Sequence, residues 1–388
     1  MKHRVLFVDD EQNILEALQR MLRPLRNEWE MRFARCGTEA LTMMAADAAD
    51  VIVTDMRMPG MDGDELLATV RQSYPQTVRI VLTGQCARGA LMRLIPLAHR
   101  ILAKPFDADG LRTVLRRTYC LRDLMASPAL MSVVGNLGGL PALPELHTRV
   151  LTELDKPDVS LTEVGAIVSQ DVGLVTKLMQ LANSALFGLR HPVASPARAI
   201  QVLGVEMTRA TLMAANVFDR YNPRLLEPYT IDSLWNHSRR LSEFAGRIAK
   251  GEGSAERMLD ASLAGLLHDV GRLIFATQLP DRYKEALRLT VAEAIPLIDA
   301  EMRVFGATHA EVGAYLLGLW GLPEPIVEAV AWHHQPSQCP GGSFSPLAAV
   351  HAAEATLGTE EGAVLDSGYF DRLQLNGRLE KWAELVPR

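Results

Sequence analysis

Short apolar runs alternate with amphipathic stretches over the first third of the chain. Val5-Leu6-Phe7-Val8 reads as a buried strand, and Ile14, Leu15, Leu18, Met21 and Leu22 follow at helical spacing. Further apolar runs are Val51-Ile52-Val53, Ile80-Val81-Leu82 and Ile101-Leu102-Ala103, with residues 30–35 as one more candidate strand. Helical patterns fall on residues 38–46 and 62–74. Strand and helix in alternation predict a doubly wound α/β domain, a parallel sheet with helices on both faces.

The pattern changes at Asp109. Leu111, Val114, Leu115, Thr118, Leu121 and Leu124 make one stripe of a long helix. Ser127-Pro128 and the Gly- and Pro-rich residues 135–144 read as a boundary. Helical periodicity then dominates residues 161–357 with almost no strand signal, so the second domain is predicted to be all-α. After Pro340, residues 347–357 are expected to form a helix that completes the helical core. Residues 366–388 are expected to be a flexible tail or a partner contact.

Composition narrows the class. A chain of 388 residues is too long for one ordinary core and implies two or three domains. With 48% hydrophobic and 22% charged residues it reads as a soluble globular protein. The net charge of -6 and the lack of a basic recognition helix argue against direct DNA binding. No apolar stretch approaches the roughly 18 residues of a membrane span. Lys2-His3-Arg4 runs into Val5 and then into acidic residues, which argues against a signal peptide. Cys36, Cys86, Cys120 and Cys339 are scattered, so a reduced cytoplasmic setting is expected.

Chemistry gathers at the carboxyl ends of strands in open α/β sheets. Asp9, Asp10 and Glu11 close the first apolar run, Asp55 closes the run from Val51, Thr83 follows Leu82, and Lys104 follows Ala103. Any single Asp at a strand end is more often a helix cap or turn former. Four strand ends in this order supply a set suited to phosphoryl transfer. Asp9, Asp10 and Asp55 offer hard oxygens for Mg2+. Asp55 is the candidate nucleophile, and Lys104 and Thr83 can hold phosphoryl oxygens. Lys104-Pro105 is an X-Pro bond at the site, where a cis peptide is admissible.

The segments VDDE (residues 8–11), VTDMRMPGMDG (53–63), LTG (82–84) and LAKPF (102–106) closely resemble the receiver domain of two-component response regulators. The resemblance implies a flavodoxin-like fold over residues 1–120, with Asp55 as phosphoacceptor and Asp9 and Asp10 as Mg2+ ligands. Thr83 and Lys104 would be the phosphate-sensing pair. It also implies a cognate histidine kinase or phosphotransfer protein as partner. Receivers often carry an aromatic switch residue two positions before the Lys, and here that position is Leu102.

Eight of the ten histidines lie in the second domain. His237, His268-Asp269, His309 and His333-His334 are the residue types that bind divalent transition metals. Each one alone is an ordinary core or surface residue. Together they resemble the HD superfamily of metal-dependent phosphohydrolases and its HD-GYP branch. By that resemblance His237, His268, Asp269, His309, His333 and His334 fall on metal-ligand positions for Fe, Mn or Zn. There are departures. Gln335-Pro336-Ser337-Gln338 replaces the Gly-Tyr-Pro motif, Arg272 stands where a Lys is usual, and Glu354 is the nearest candidate for the last acidic ligand. The His268-Asp269 pair is expected inside a helix that turns at Gly271.

A second resemblance is to the HDOD domain, an HD-related output domain of bacterial signalling proteins. Leu140-Pro141-x-Leu143-Pro144, the segment QDVGLVTKLMQLANSALFG (170–188) and Ala199-Ile200-Gln201-x-Leu203-Gly204 match it. Val172, Val175, Leu178, Met179 and Ala182 also make a plain apolar helix face, with Asn183-Ser184 at its end. The expected organisation is receiver 1–120, helical linker 121–132, HDOD domain 133–340, and C-terminal helices or tail 341–388 that complete the HD-like core. The favoured function is a cytoplasmic response regulator whose HDOD domain signals by binding a protein or small ligand, with dimerisation through the receiver as an option. The alternative is a phospho-regulated, metal-dependent phosphodiesterase acting on a cyclic dinucleotide.

Overall fold

A computed structural model describes residues 2–84, 93–94, 96–106, 108–125, 127–140, 144–156, 158–184, 187, 189, 192–213, 231–253, 255–358 and 364–387. Pro141, Leu143 and Gly188 of the HDOD-like motifs, and Cys86, lie outside them. The chain divides into two units, one dominated by residues 1–139 and one by residues 140–388.

The first unit is a parallel sheet of β1 (His3–Val8), β2 (Trp29–Ala34), β3 (Val51–Asp55), β4 (Val78–Thr83) and β5 (Arg100–Ala103). The spatial order is β2-β1-β3-β4-β5, and each neighbouring pair is parallel. The central strands are buried along most of their length because helices cover both faces. These helices include α1 (Gln12–Leu22), α2 (Gly37–Ala46), α3 (Gly63–Ser73) and α4 (Ala108–Leu124). The register sets Asp55 opposite Leu82 and Thr83 opposite Ala103, so the four chemically active strand ends share one edge.

The chain does not break at Ser127-Pro128. The Ser127 hydroxyl accepts from the Leu130 N–H, and Pro128 occupies the first turn of α5 (Pro128–Gly135). Two arginines hold the far end of this helix. Arg79 donates to Gly135 O at 2.6 Å and Arg71 donates to Asn136 O at 2.6 Å. Cations there complement the negative end of the helix dipole. The Ser-Pro pair marks a helix start, and the segment groups with the receiver.

The second unit is helical among its described residues. Helices α6 (Pro144–Leu154), α7 (Leu161–Val168), α8 (Val172–Ala182) and α9 (Pro196–Met213) pack together. Apart from Gln180, α8 is buried all round, beyond the single face expected from its sequence. Gly204 interrupts α9 with φ 72°, a conformation that glycine adopts without steric cost. That requirement explains the glycine closing the Ala199–Gly204 motif.

Four helices frame the histidines: α10 (Ile231–Glu252), α11 (Ala255–Leu267), α16 (Glu324–Trp332) and α17 (Pro346–Leu357). Between them in sequence run α12 (Val270–Gln278), α13 (Pro280–Glu293), α14 (Leu297–Phe305) and α15 (His309–Leu319). Residues 366–387 pack rather than trail. In α18 (Ser367–Leu373) and α19 (Leu379–Ala383), Phe370 and Trp382 are buried, and Trp382 Nε1 donates to Glu252 at 3.1 Å. The apolar positions Tyr369, Phe370 and Trp382 supply the driving force that a flexible tail lacks. No helix among the described residues is long and apolar enough to cross a membrane.

Candidate functional site

Asp9 is buried at the end of β1, and Asp10 follows it, exposed. Asp9 accepts from the Glu11 N–H at 3.0 Å, which fixes its carboxylate. Asp55 accepts from the Arg57 N–H at 2.8 Å. The Lys104 ammonium bridges Asp9, at 2.8 Å, and Asp55, with which it makes a closer ion pair. Burial alone would lower the Lys104 pKa, but the hydrogen bonds and charges of Asp55 and Asp9 outweigh it and the net shift is upward. Thr83 is buried one strand away, with its hydroxyl toward Met56 Sδ. Leu102 is half-buried on β5. The Lys104-Pro105 bond is cis.

Gly63 explains how α3 starts so close to this edge. A Cβ there would meet the Asp55 carbonyl oxygen at 2.3 Å, so only glycine allows the approach. Among the described residues this edge brings Asp9, Asp55, Thr83 and Lys104 together, with Asp10 adjacent in the chain.

The second cluster is built from six helix ends and faces. His237 comes from α10 and Glu354 from α17. His268 and Asp269 occupy the junction between α11 and α12, with Asp269 as N-cap. The turn therefore falls on the pair itself, before Gly271, which lies in the first turn of α12. His309 opens α15, and His333-His334 follow the end of α16. Glycines permit the approaches. A Cβ on Gly265 would lie 3.0 Å from the Ser242 Cα, and one on Gly271 would lie 1.9 Å from the His309 carbonyl oxygen. These contacts draw α11 onto α10 and α12 onto the start of α15.

The imidazole Nε2 atoms converge. His237 and His268 lie 3.3 Å apart, His309 and His333 3.4 Å, and His334 and His309 3.0 Å. Glu354 Oε2 is 3.3 Å from His237 and 3.5 Å from His268. Asp269 stands between the two groups. Its Oδ2 is 3.4 Å from His268 and its Oδ1 is 3.3 Å from His309. The donors fall into two sets, His237-His268-Asp269 and His309-His333-His334. The outward nitrogens are engaged elsewhere. His268 Nδ1 donates to Gly265 O and His333 Nδ1 to Val330 O, each at 2.8 Å. His309 Nδ1 donates to Glu301 at 2.7 Å.

Burial disfavours a charged imidazole, yet Asp269 and Glu354 more than reverse this for His268, which is raised to about 9. Glu301 and Asp269 do the same for His309, raised to about 10. His333 and His334 fall well below the ordinary value because burial is reinforced by neighbouring imidazolium charge. Burial pushes Glu354 up, but His237 and His268 turn the net shift downward. Asp269 is held low by His268 and Arg272 despite its burial. Arg272 donates to Asp269 Oδ2 at 3.1 Å.

Glu301 was not singled out from sequence. It shares the spacing of Leu297 and Phe305 on the buried face of α14. A carboxylate on an apolar stripe was the available signal. His351 was also missed as a contributor. Its Nδ1 donates to the His333 carbonyl at 2.6 Å and its Nε2 accepts from the Asp366 N–H at 2.9 Å, tying the C-terminal segment to the His333-His334 turn.

A parallel sheet with a carboxylate, hydroxyl and lysine edge, followed by a helical unit, defines the class of a response-regulator receiver joined to an output domain. Residues 5–116 match the response regulator receiver domain. Residues 140–336, half of the chain, match the HDOD domain, and the chain belongs to that family. An uncharacterized protein of Treponema pallidum is 30% identical over 220 residues, covering 56% of this chain and 41% of that protein. The response regulator protein FleR of Pseudomonas aeruginosa is 32% identical over 158 residues, covering 40% of this chain and 30% of FleR. The chain thus spans less than half the length of either relative. The structure of the MmoQ response regulator from Methylococcus capsulatus is 25% identical, with a TM-score of 0.49 over 64% of this chain and 98% of that one. Receiver domains generally bind Mg2+, and a receiver implies a phosphodonor partner such as a histidine kinase.

Proposed function

We propose that Asp55 is the phosphoacceptor of this response regulator and that the HDOD domain holds divalent metal and relays the phosphorylation state to a protein or small-ligand partner. The observation that supports the receiver half is the Lys104 ammonium between Asp9 and Asp55. Asp55 attacks the donor's phosphorus in line, the donor's leaving group departs, and an acyl phosphate forms on Asp55. Lys104 then turns from the free carboxylate to a phosphoryl oxygen, and the Thr83 hydroxyl donates to another. Asp9, Asp10 and Asp55 would hold Mg2+, which offsets the charge of the incoming group. Acetyl phosphate with Mg2+ should add one phosphoryl mass to the wild type and none to Asp55→Asn. Equal labelling of both would overturn the assignment.

The donor set in the helical unit fits divalent metal. The Nε2 atoms of His268, His309 and His333 face one another while their Nδ1 atoms donate outward, the orientation that metal-binding imidazoles adopt. Glu354 Oε2 is buried and turned toward the Nε2 atoms of His237 and His268. His237, His268, Asp269 and Glu354 would hold one ion, and His309, His333, His334 and Asp269 a second. Burial of most of these groups favours ions that fix the domain's shape, since catalytic metals keep an open position.

A second reading is a metal-dependent phosphodiesterase, favoured by the gathering of five histidines with Asp269 and Glu354. Activated water is the chemistry such metals supply. Hydrolysis of a cyclic dinucleotide by the Mn2+- or Fe2+-loaded protein, abolished by His268→Ala, would establish it. No turnover by protein shown to contain metal would leave the signalling module as the account.

A further inference from the structure

Glu301 is completely buried on α14, and the described contacts use only one of its oxygens. Oε2 accepts from the His309 backbone N–H at 2.8 Å and from His309 Nδ1 at 2.7 Å. Oε1 is buried without a hydrogen-bond partner. The carboxylate therefore grips His309 at two points, main chain and ring. An isolated buried charge is costly, and a carboxylate with one idle oxygen has little reason to persist as core packing. The other oriented imidazoles rely on neutral backbone carbonyls, from Gly265 for His268 and Val330 for His333. His309 is distinguished by a full negative charge behind its ring.

We infer that Glu301 is a positioning residue that acts through His309 on the metal half-site formed by His309, His333 and His334. This inference rests on the metal reading of the helical unit. By accepting the Nδ1 proton, Glu301 orients the ring so that Nε2 faces Asp269, His333 and His334, and it would keep the proton on Nδ1 when Nε2 gives up its own to a metal. Its charge also makes the imidazole a stronger donor, as carboxylate partners do for metal-bound histidines. The bond to the His309 N–H holds the first turn of α15, so ring and backbone are set together. The other half-site, around His237 and Glu354, has no such carboxylate behind a ligand among the described residues. The two halves should therefore differ in affinity, with the His309 half depending on Glu301.

The test uses full-length protein stripped with a chelator and titrated with Zn2+ by calorimetry, with bound metal counted by elemental analysis. Glu301→Gln keeps the size and one acceptor oxygen but removes the charge. It should weaken one class of site by about 10- to 100-fold and leave the other class unchanged. Affinities identical to wild type would overturn the inference while leaving the metal reading intact. A wild type that binds no Zn2+ would overturn both, so the two failures are distinguishable. A second measurement needs no variant. In Zn2+-loaded wild type, nitrogen NMR should show His309 metal-bound through Nε2 with Nδ1 protonated. Ligation through Nδ1 would overturn the inference whatever the folding of the variant.

Discussion

Lys104 illustrates how one side chain sets the resting state of the receiver. Its ammonium separates two carboxylates, one of them fully buried, that would otherwise repel each other. Removing one partner from such a pair costs about 3–5 kcal/mol when the pair is buried, and less here because Lys104 is partly exposed. Lys104→Met should therefore lower receiver stability in urea unfolding, and Mg2+ should restore more stability to the variant than it adds to the wild type. Insensitivity of the variant to Mg2+ would argue that the acidic edge does not hold the ion. His99 gives a pH prediction. It is buried beside Arg79, and burial first, then the guanidinium charge, hold its pKa well below the ordinary 6.5. The unfolded chain takes up a proton below about 6.5 that the folded chain refuses. Stability is therefore expected to fall as pH drops below that value, and His99→Gln should flatten the decline in a pH series of denaturant melts.

At the scale of elements, strand ends are legible in the sequence and helix junctions are not. A strand is a short apolar run, and the residue that closes it must lie at the sheet edge, so Asp9, Asp55, Thr83 and Lys104 group from order alone. Histidines on helices reveal no such edge. His237 and Glu354 are 117 positions apart in sequence and meet only because α10 and α17 pack. Glycine usually ends a helix, so the sequence points to Gly271 as the turn after His268-Asp269. Its actual task is close packing against the His309 carbonyl. Gly271→Ala should cost about 1–3 kcal/mol through overpacking, and it should reduce bound metal by displacing His309. A thermal melt with parallel metal analysis checks both, and a variant with wild-type stability would refute the packing argument. Glu301 and the C-terminal aromatics escape a sequence reading for one reason. Their meaning depends on partners far away in the chain.

At the scale of the whole molecule, the two domains are proposed to have separate chemistries, a transient acyl phosphate in the receiver and a metal centre among the buried histidines and carboxylates of the HDOD domain. If phosphorylation is the input, wild type and Asp55→Asn should differ in self-association or partner binding when acetyl phosphate and Mg2+ are present, and should agree without them. Analytical ultracentrifugation of the two proteins provides the comparison. Metal in the helical unit would also act as a stabilising ligand. Free ion at 100 times Kd adds about 2.7 kcal/mol, which should appear as a rise in the melting temperature of the second transition. These buried histidines and carboxylates are proposed to be a metal centre. Its most direct test is elemental analysis of purified full-length protein, grown with and then exposed to Fe2+, Mn2+ and Zn2+, beside His268→Ala. A metal centre predicts bound metal in the wild type and a clear loss in the variant. Wild-type protein that retains none of the three ions would contradict it.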